Sequence, residues 1–465
     1  MKNSIRTLTC TLIGACVLLI SCGSSKKNTT EEKKYPQLEK GKVIRSVKLL
    51  SDSTQSFAVY LPKNYDTTKL WPVIIAFDPH ADGALPVEKY DSLAELYGYI
   101  FVASNNSKNG MKKNETHTIA TNLIADIKTR FKVDQKRVYL MGFSGGGRVA
   151  GSTALSDGGI AGVISCSAGL NAMVGGQPLK TFAFYGIAGD GDFNYLEMLT
   201  EEPFLKKQGF DLFLQKFSGT HEWPPVNCVA DAFVWMQLKA MRDGAVPKED
   251  AFIQKIITAK KSEAAMFEKQ GNATEAFASL YFLLTGLNKL TDVKEFNTEL
   301  IRIMELPAYQ KASDEFRTLM NSEIEKQKEY RDAFDSKDKK WWEAELNTRK
   351  AGAKSKDQKG ASNRRLLGMI GILSYSYCNS AIQSHRDAEL EKYLFIYLTA
   401  EPDNTEAHYM NAILMARQDK KKEAFVALNT AVDKGFADKP RLMNDQEFSK
   451  INTDQDFQKI LNRIK

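Results

Sequence analysis

The sequence predicts an α/β fold with a mostly parallel sheet in its first half, followed by an all-helical region in its second. Three observations support this. Short apolar runs at 72–77, 138–141, 160–165 and 181–187 alternate with helically spaced segments up to about residue 242. Strands that are apolar on both faces belong to parallel sheets covered by helices on each side. Beyond Pro247 no strand pattern survives, and Lys, Glu, Ala and Leu recur at helical spacing, as at Ile253, Ile256, Ile257 and Ala264. Between the run 138–141 and the helix-compatible 148–152 stands Gly142-Phe143-Ser144-Gly145-Gly146, a strand, a sharp turn and a helix with a serine at the apex. Small flanking residues let strand and helix approach while the serine hydroxyl stands clear of the sheet edge.

With 465 residues, 43% hydrophobic and 26% charged, the chain reads as globular and as more than one domain. The formal charge of +7 is modest for this length, and no basic stripe is interleaved with aromatics, so nucleic acid is not an expected partner. The six cysteines, at positions 10, 16, 22, 166, 228 and 378, lack the short spacings of zinc sites. Neither a metal nor a cofactor is expected.

Residues 1–21 read as an export signal, with Lys2 and Arg6 ahead of an apolar core from Leu8 to Ile20. Ser21-Cys22, followed by Gly23-Ser24-Ser25, resembles the lipobox of bacterial lipoproteins. That resemblance implies lipid on Cys22 and attachment to a membrane of the cell envelope on its extracytoplasmic side; an ordinary cleaved signal is the alternative. Residues 22–40 are too polar to bury and are expected to form a flexible tether.

The strands begin with 43–49 and 55–61, read as an antiparallel pair, the second ended by Pro62. The run 72–77 leads into Asp78-Pro79-His80-Ala81-Asp82-Gly83. After helical spacing at Tyr90, Leu93, Ala94 and Tyr97, strand 99–103 delivers the Asn-rich loop 104–110 to the rim where ligands of open α/β sheets bind. Asn105 and Asn106 are candidate substrate contacts, with plain turn formation as the alternative. A helix over 119–131 leads to the strand before Ser144. The strand at 182–187 ends in Ala188-Gly189-Asp190-Gly191-Asp192, and the strand at 211–217 in Ser218-Gly219-Thr220-His221-Glu222-Trp223-Pro224. A helix over 229–241 closes this part of the chain.

Together, Gly142-Phe143-Ser144-Gly145-Gly146, Asp192 and His221 resemble the nucleophile elbow and triad of the α/β-hydrolase superfamily, in its serine-esterase and prolyl-oligopeptidase-like branch. The Gly-x-His-Glu-Trp-Pro sequence around His221 resembles the histidine loop of secreted feruloyl-esterase and polyhydroxybutyrate-depolymerase-like hydrolases. The resemblance spans residues 43–242. It implies Ser144 as nucleophile, His221 as general base and Asp192 as the group that orients it. Asp192 is preferred to Asp190 because Gly189-x-x-Asp192 matches the family spacing, and Asp190 stays in reserve. The oxyanion hole would take the Gly145 amide and one amide from the 78–83 loop, with His80 and Ala81 as candidates, although that loop departs from the lipase-type His-Gly-Gly-Gly. Trp223 is a candidate substrate contact. Too few residues lie between Cys166 and Lys180 for a lid, so an open site suited to bulky or polymeric esters is expected.

Residues 246–465 read as helical hairpins. After Pro402-Asp403-Asn404, the residues Ala412, Ala424, Leu428 and Ala431 fall on the small and apolar positions of a tetratricopeptide repeat, and Gly271-Asn272 with Ala276 and Leu280 suggests another hairpin. The Lys-rich stretch 350–359 is expected to be a mobile break, and Trp341-Trp342 to be core. The domain plan is a signal over 1–21, a tether over 22–40, a catalytic domain over 41–245 and a helical domain over 246–465. The leading function is a membrane-anchored serine hydrolase of carboxylic esters working through an acyl-enzyme. Two alternatives stand beside it. One is a peptidase of prolyl-oligopeptidase type, weakened by the lack of a propeller-sized region ahead of the catalytic part. The other is a non-catalytic binding lipoprotein whose helical half takes a protein partner.

Overall fold

The structure is a computed structural model that describes residues 38–171 and 179–464. The export signal, Cys22 and most of the tether lie outside the described residues, as does 172–178 of the connection expected to carry no lid. Strands β1 (Val43–Lys48), β2 (Ser56–Tyr60), β3 (Trp71–Phe77), β4 (Ile100–Ser104), β5 (Val133–Phe143), β6 (Gly162–Cys166), β7 (Ala183–Gly189) and β8 (Asp211–Phe217) form one sheet. Their order is β1-β2-β4-β3-β5-β6-β7-β8. β1 pairs antiparallel with β2 and β2 with β4, and every later pairing is parallel. This is the mostly parallel α/β-hydrolase architecture expected from the sequence.

Helices α1 (Ala84–Tyr97), α2 (Lys113–Arg130), α3 (Gly145–Ser156), α4 (Tyr195–Lys207) and α5 (Val226–Arg242) cover the sheet. Ile74 and Ala76 of β3 join an apolar layer with Tyr90 and Leu93 of α1 and Val229, Phe233 and Trp235 of α5. The alternate residues Val73, Ile75 and Phe77 join the opposite layer with Leu123 and Ile127 of α2, Ala150 of α3 and Leu205 of α4. Burial on both faces is why these strands read as unbroken apolar runs, and each fully buried aliphatic side chain contributes about 2 kcal/mol.

The second half continues through α6 (Asp250–Lys269), α7 (Ala273–Gly286), α8 (Lys294–Glu305), α9 (Pro307–Ser336), α10 (Lys339–Ala353), α11 (Gln358–Gln383), α12 (Asp387–Ala400), α13 (Thr405–Arg417), α14 (Lys421–Asp433), α15 (Lys439–Asn444) and α16 (Gln455–Arg463). Strand content ends at Phe217, yet the apolar core does not divide near residue 245. Phe282 of α7 packs edge-on against Phe213 of β8 at 5.3 Å and Trp235 of α5 at 5.4 Å. Leu280, Leu283, Phe296 and Ile303 extend that same layer. From residue 38 onward the chain forms one compact unit.

Ala412, Ala424, Leu428 and Ala431 are all buried between α13 and α14, and Asn404 caps α13 by accepting from the amides of Glu406 and Ala407. Trp342 is fully buried and Trp341 half-buried. The expected break over 350–359 shrinks to residues 354–357 between α10 and α11. Lysine is a good helix former, Asp357 caps α11 at the Gly360 amide, and Arg364 donates to the carbonyls of Ala353 and Ser355.

Candidate active site

Ser144 sits where β5 turns into α3, with φ 52° and ψ −121°, a backbone state that costs a non-glycine residue about 1–3 kcal/mol. The surrounding structure enforces it. A Cβ on Gly142 would lie 2.2 Å from the Gly146 carbonyl oxygen, and one on Gly146 would lie 2.0 Å from that of Phe77. The Ser144 amide donates to the Cys166 carbonyl at 2.8 Å, tying the turn to β6.

The Ser144 hydroxyl lies 2.8 Å from His221 Nε2, and His221 Nδ1 lies 3.0 and 3.1 Å from the two carboxylate oxygens of Asp192. Asp192 is fully buried and also accepts from the Asn194 amide at 2.8 Å. A buried carboxylate at Nδ1 keeps the proton on that nitrogen and leaves Nε2 as the acceptor facing Ser144. Asp190, two residues earlier, points elsewhere: its carboxylate accepts from the Gly219 amide at 3.4 Å and stands 3.9 Å from Arg364. The acid loop after β7 and the histidine loop after β8 are laced by backbone bonds, Asp190 to the Phe217 carbonyl and Gly191 to that of Gly219. Gly189 allows this approach, since a Cβ there would lie 2.4 Å from the Thr220 carbonyl oxygen. The His221 ring lies between Phe143, at 4.7 Å, and Phe193, at 4.3 Å.

Gly145 opens α3, so its amide is one of the helix N-terminal donors without an intrahelical partner and lies beside Ser144. The two candidate partners for it in the β3 loop are engaged elsewhere. The His80 amide donates to Asp78 Oδ1 at 2.8 Å, and the Ala81 amide to the Asp78 carbonyl at 3.3 Å, with Ala81 at φ 63°. The aspartate closes this loop into a turn on its own backbone.

Trp223, read as a substrate contact, is buried instead. Its indole N–H donates to Asp78 Oδ2 at 2.9 Å, and its ring packs against Phe143 and Tyr90. It ties the histidine loop to the β3 loop because a buried indole N–H needs an acceptor. Asn105 and Asn106 are also committed to the scaffold. Asn105 Nδ2 donates to the Arg45 carbonyl, and Asn106 Oδ1 accepts from the Ser56 amide at 2.7 Å, so both support the antiparallel edge. From the same loop it is Asn109 that reaches the elbow: its Oδ1 lies 1.8 Å from where a Cβ on Gly145 would stand. Its backbone amide, bonded to the Pro79 carbonyl at 2.8 Å, holds it there. Among the described residues no group of His, Cys, Asp and Glu side chains converges as a metal site.

No family model and no curated protein matches the sequence. Solved structures similar to it include the S-formylglutathione hydrolase FrmB from Staphylococcus aureus, 14% identical, covering 43% of this chain and 98% of that one with a TM-score of 0.35. Est1E from Butyrivibrio proteoclasticus is 16% identical, covering 43% of this chain and 99% of that one with a TM-score of 0.34. An esterase from Pyrobaculum calidifontis is 13% identical, covering 44% and 85% with a TM-score of 0.34.

Proposed function

We propose that this chain is a serine hydrolase of carboxylic esters. The observation that carries the reading is the continuous chain from the Ser144 hydroxyl through His221 to the buried Asp192, at 2.8 and 3.0 Å. Ser144 Oγ attacks the ester carbonyl carbon while His221 Nε2 takes the hydroxyl proton, and Asp192 stabilises the imidazolium that forms. The carbonyl oxygen gains negative charge next to the Gly145 amide at the N-terminus of α3, where the aligned helix dipoles favour an anion. Collapse of this tetrahedral species breaks the bond to the alcohol, which leaves with the proton held by His221. Water, deprotonated by the same nitrogen, then releases the acid and restores Ser144.

The Ser21-Cys22 pattern adds a location to this proposal: lipid on Cys22 holding the enzyme on the extracytoplasmic side of a bacterial membrane. Several acyl chains, at about 0.8 kcal/mol per buried methylene, would anchor it firmly.

The test is turnover by the chain from Lys40 onward on a panel of short-acyl, feruloyl and peptide substrates, with fluorophosphonate labelling in parallel. Ester hydrolysis with label on Ser144 is expected. A folded protein that takes no label there overturns the reading, and hydrolysis of peptides alone replaces it with a peptidase. For the anchor, the wild-type protein should partition with membranes and Cys22→Ala should abolish its lipid labelling; a wild-type protein that carries no lipid refutes it.

A further inference from the structure

We infer that the helical half is part of the catalytic unit, because α11 positions the loop that carries Asp192. This rests on the triad reading above. Arg365 of α11 donates from Nη1 to the carbonyl oxygen of Asp190, 175 positions away in sequence and two residues before Asp192. Its guanidinium is held from behind by Glu323 of α9, with Nε at 2.9 and 3.1 Å from the two carboxylate oxygens, and Ser362 donates to the same carboxylate at 2.6 Å. Both side chains of this ion pair are almost wholly buried, 3% and 0% exposed. The guanidinium also lies over the ring of Tyr195, the first residue of α4, at 5.6 Å.

The neighbouring positions of α11 hold the rest of the loop. Arg364 Nε lies 2.8 Å from where a Cβ on Gly191 would stand. One turn further along, Gly368 leaves space for Phe193: a Cβ there would lie 3.0 Å from its ring. Phe193 in turn lies against the His221 ring at 4.3 Å. Residues 190, 191 and 193 are therefore gripped by one helix face, on both sides of the residue that orients His221.

The chemistry of the grip points to position more than stability. A buried ion pair replaced by apolar residues of similar volume usually leaves a fold as stable or more so. What the apolar pair cannot supply is a fixed donor at the Asp190 carbonyl. Arg365 acts through the loop and touches no reacting atom, so it is a positioning residue.

The test uses the full chain with the pair replaced together, Glu323→Leu with Arg365→Met, so that no lone charge is left buried. The expected result is a fall in kcat of about ten- to hundredfold with KM nearly unchanged, the size seen when a reacting group shifts by about 1 Å. Arg365→Lys, which keeps a donor, should recover part of the loss. Gly368→Ala, which pushes on Phe193, should lower kcat in the same way. A readout independent of turnover is the low-field proton signal of His221 Nδ1–H, assigned by its loss in His221→Ala. It should be sharp in the wild type and broadened or lost in the double variant. A folded double variant with wild-type kcat, or with an unchanged Nδ1–H signal, overturns the inference. A wild type that hydrolyses no ester instead refutes the proposed function and leaves the proton signal to decide the positioning.

Discussion

Gly146 meets Phe77 so closely that a methyl group on the glycine would stand 2.0 Å from the phenylalanine's carbonyl oxygen. The first turn of α3 thus lies directly on β3, and this contact seats Ser144 at the sheet edge. Gly146→Ala should therefore lower stability by about 1–3 kcal/mol, as overpacking does, and abolish labelling of Ser144 by displacing the elbow. Urea unfolding and fluorophosphonate labelling on one sample check both outcomes.

The two aspartates of the acid loop make a clean pair for comparison. Asp192→Asn should lower kcat by about 10⁴-fold, since the amide would hold the wrong imidazole tautomer. Asp190→Asn should change kcat little, because its carboxylate faces the Gly219 amide and Arg364 and not His221. Steady-state kinetics on a short-acyl ester separates them, and the opposite ranking would transfer the role to Asp190.

The asparagines of the 104–110 loop differ in what they touch, and their substitutions should differ in effect. Asn105→Ala and Asn106→Ala should each cost about 1 kcal/mol of stability, because each removes a hydrogen bond to the edge-strand backbone, with turnover retained. Asn109→Ala should leave stability alone and lower kcat/KM by about tenfold, or about 1.4 kcal/mol of barrier, because its side chain lies on Gly145. A tenfold loss from Asn105→Ala with none from Asn109→Ala would reverse the assignment.

Cutting the chain after residue 245 removes Phe282, Leu280 and Leu283 from the layer they share with Phe213 and Trp235. At about 1.5–3 kcal/mol for each buried side chain, that loss approaches the whole stability of a domain. The fragment 38–245 should be aggregated or molten by gel filtration and near-ultraviolet circular dichroism. A monomeric fragment with a cooperative unfolding transition would show that the sheet half stands alone.

Cys166, Cys228 and Cys378 are free and buried. Burial pushes the Cys228 thiol up to about 11 and that of Cys378 to about 12, and raises Cys166 further still. A thiol gains reactivity as pH rises through its pKa, so at pH 8 only about one Cys228 thiol in a thousand is ionised. Iodoacetamide at pH 8 should leave all three unmodified in the native protein and modify all three in urea, read by intact mass. Rapid labelling of the native protein would contradict this packing.

The parts legible in the sequence were those set by local spacing and chain order. The elbow glycines, the apolar runs of β3 and β7, and the order Ser144, Asp192, His221 all fall within short windows whose geometry a turn or a strand dictates. The contacts hidden from the sequence depend on partners far away in the chain. Trp223 looks like a rim residue until Asp78, 145 positions earlier, claims its indole. Three asparagines within a few residues carry the same local signal, and only the arrangement of β1, β2 and the elbow separates Asn105 and Asn106 from Asn109. The contact of Arg365 with Asp190 leaves no periodic trace at all.

The layer shared by β8, α5 and α7 also bears on how the chain is made. Synthesis runs from the amino end, so every strand has emerged before α7 begins. Phe213 and Trp235 then wait uncovered until residues near Phe282 and Phe296 follow. During that interval the nascent sheet presents an aromatic face that can associate with other chains. Ribosome pausing within residues 245–300 would lengthen that exposure, and a holding chaperone would have its greatest effect on yield there.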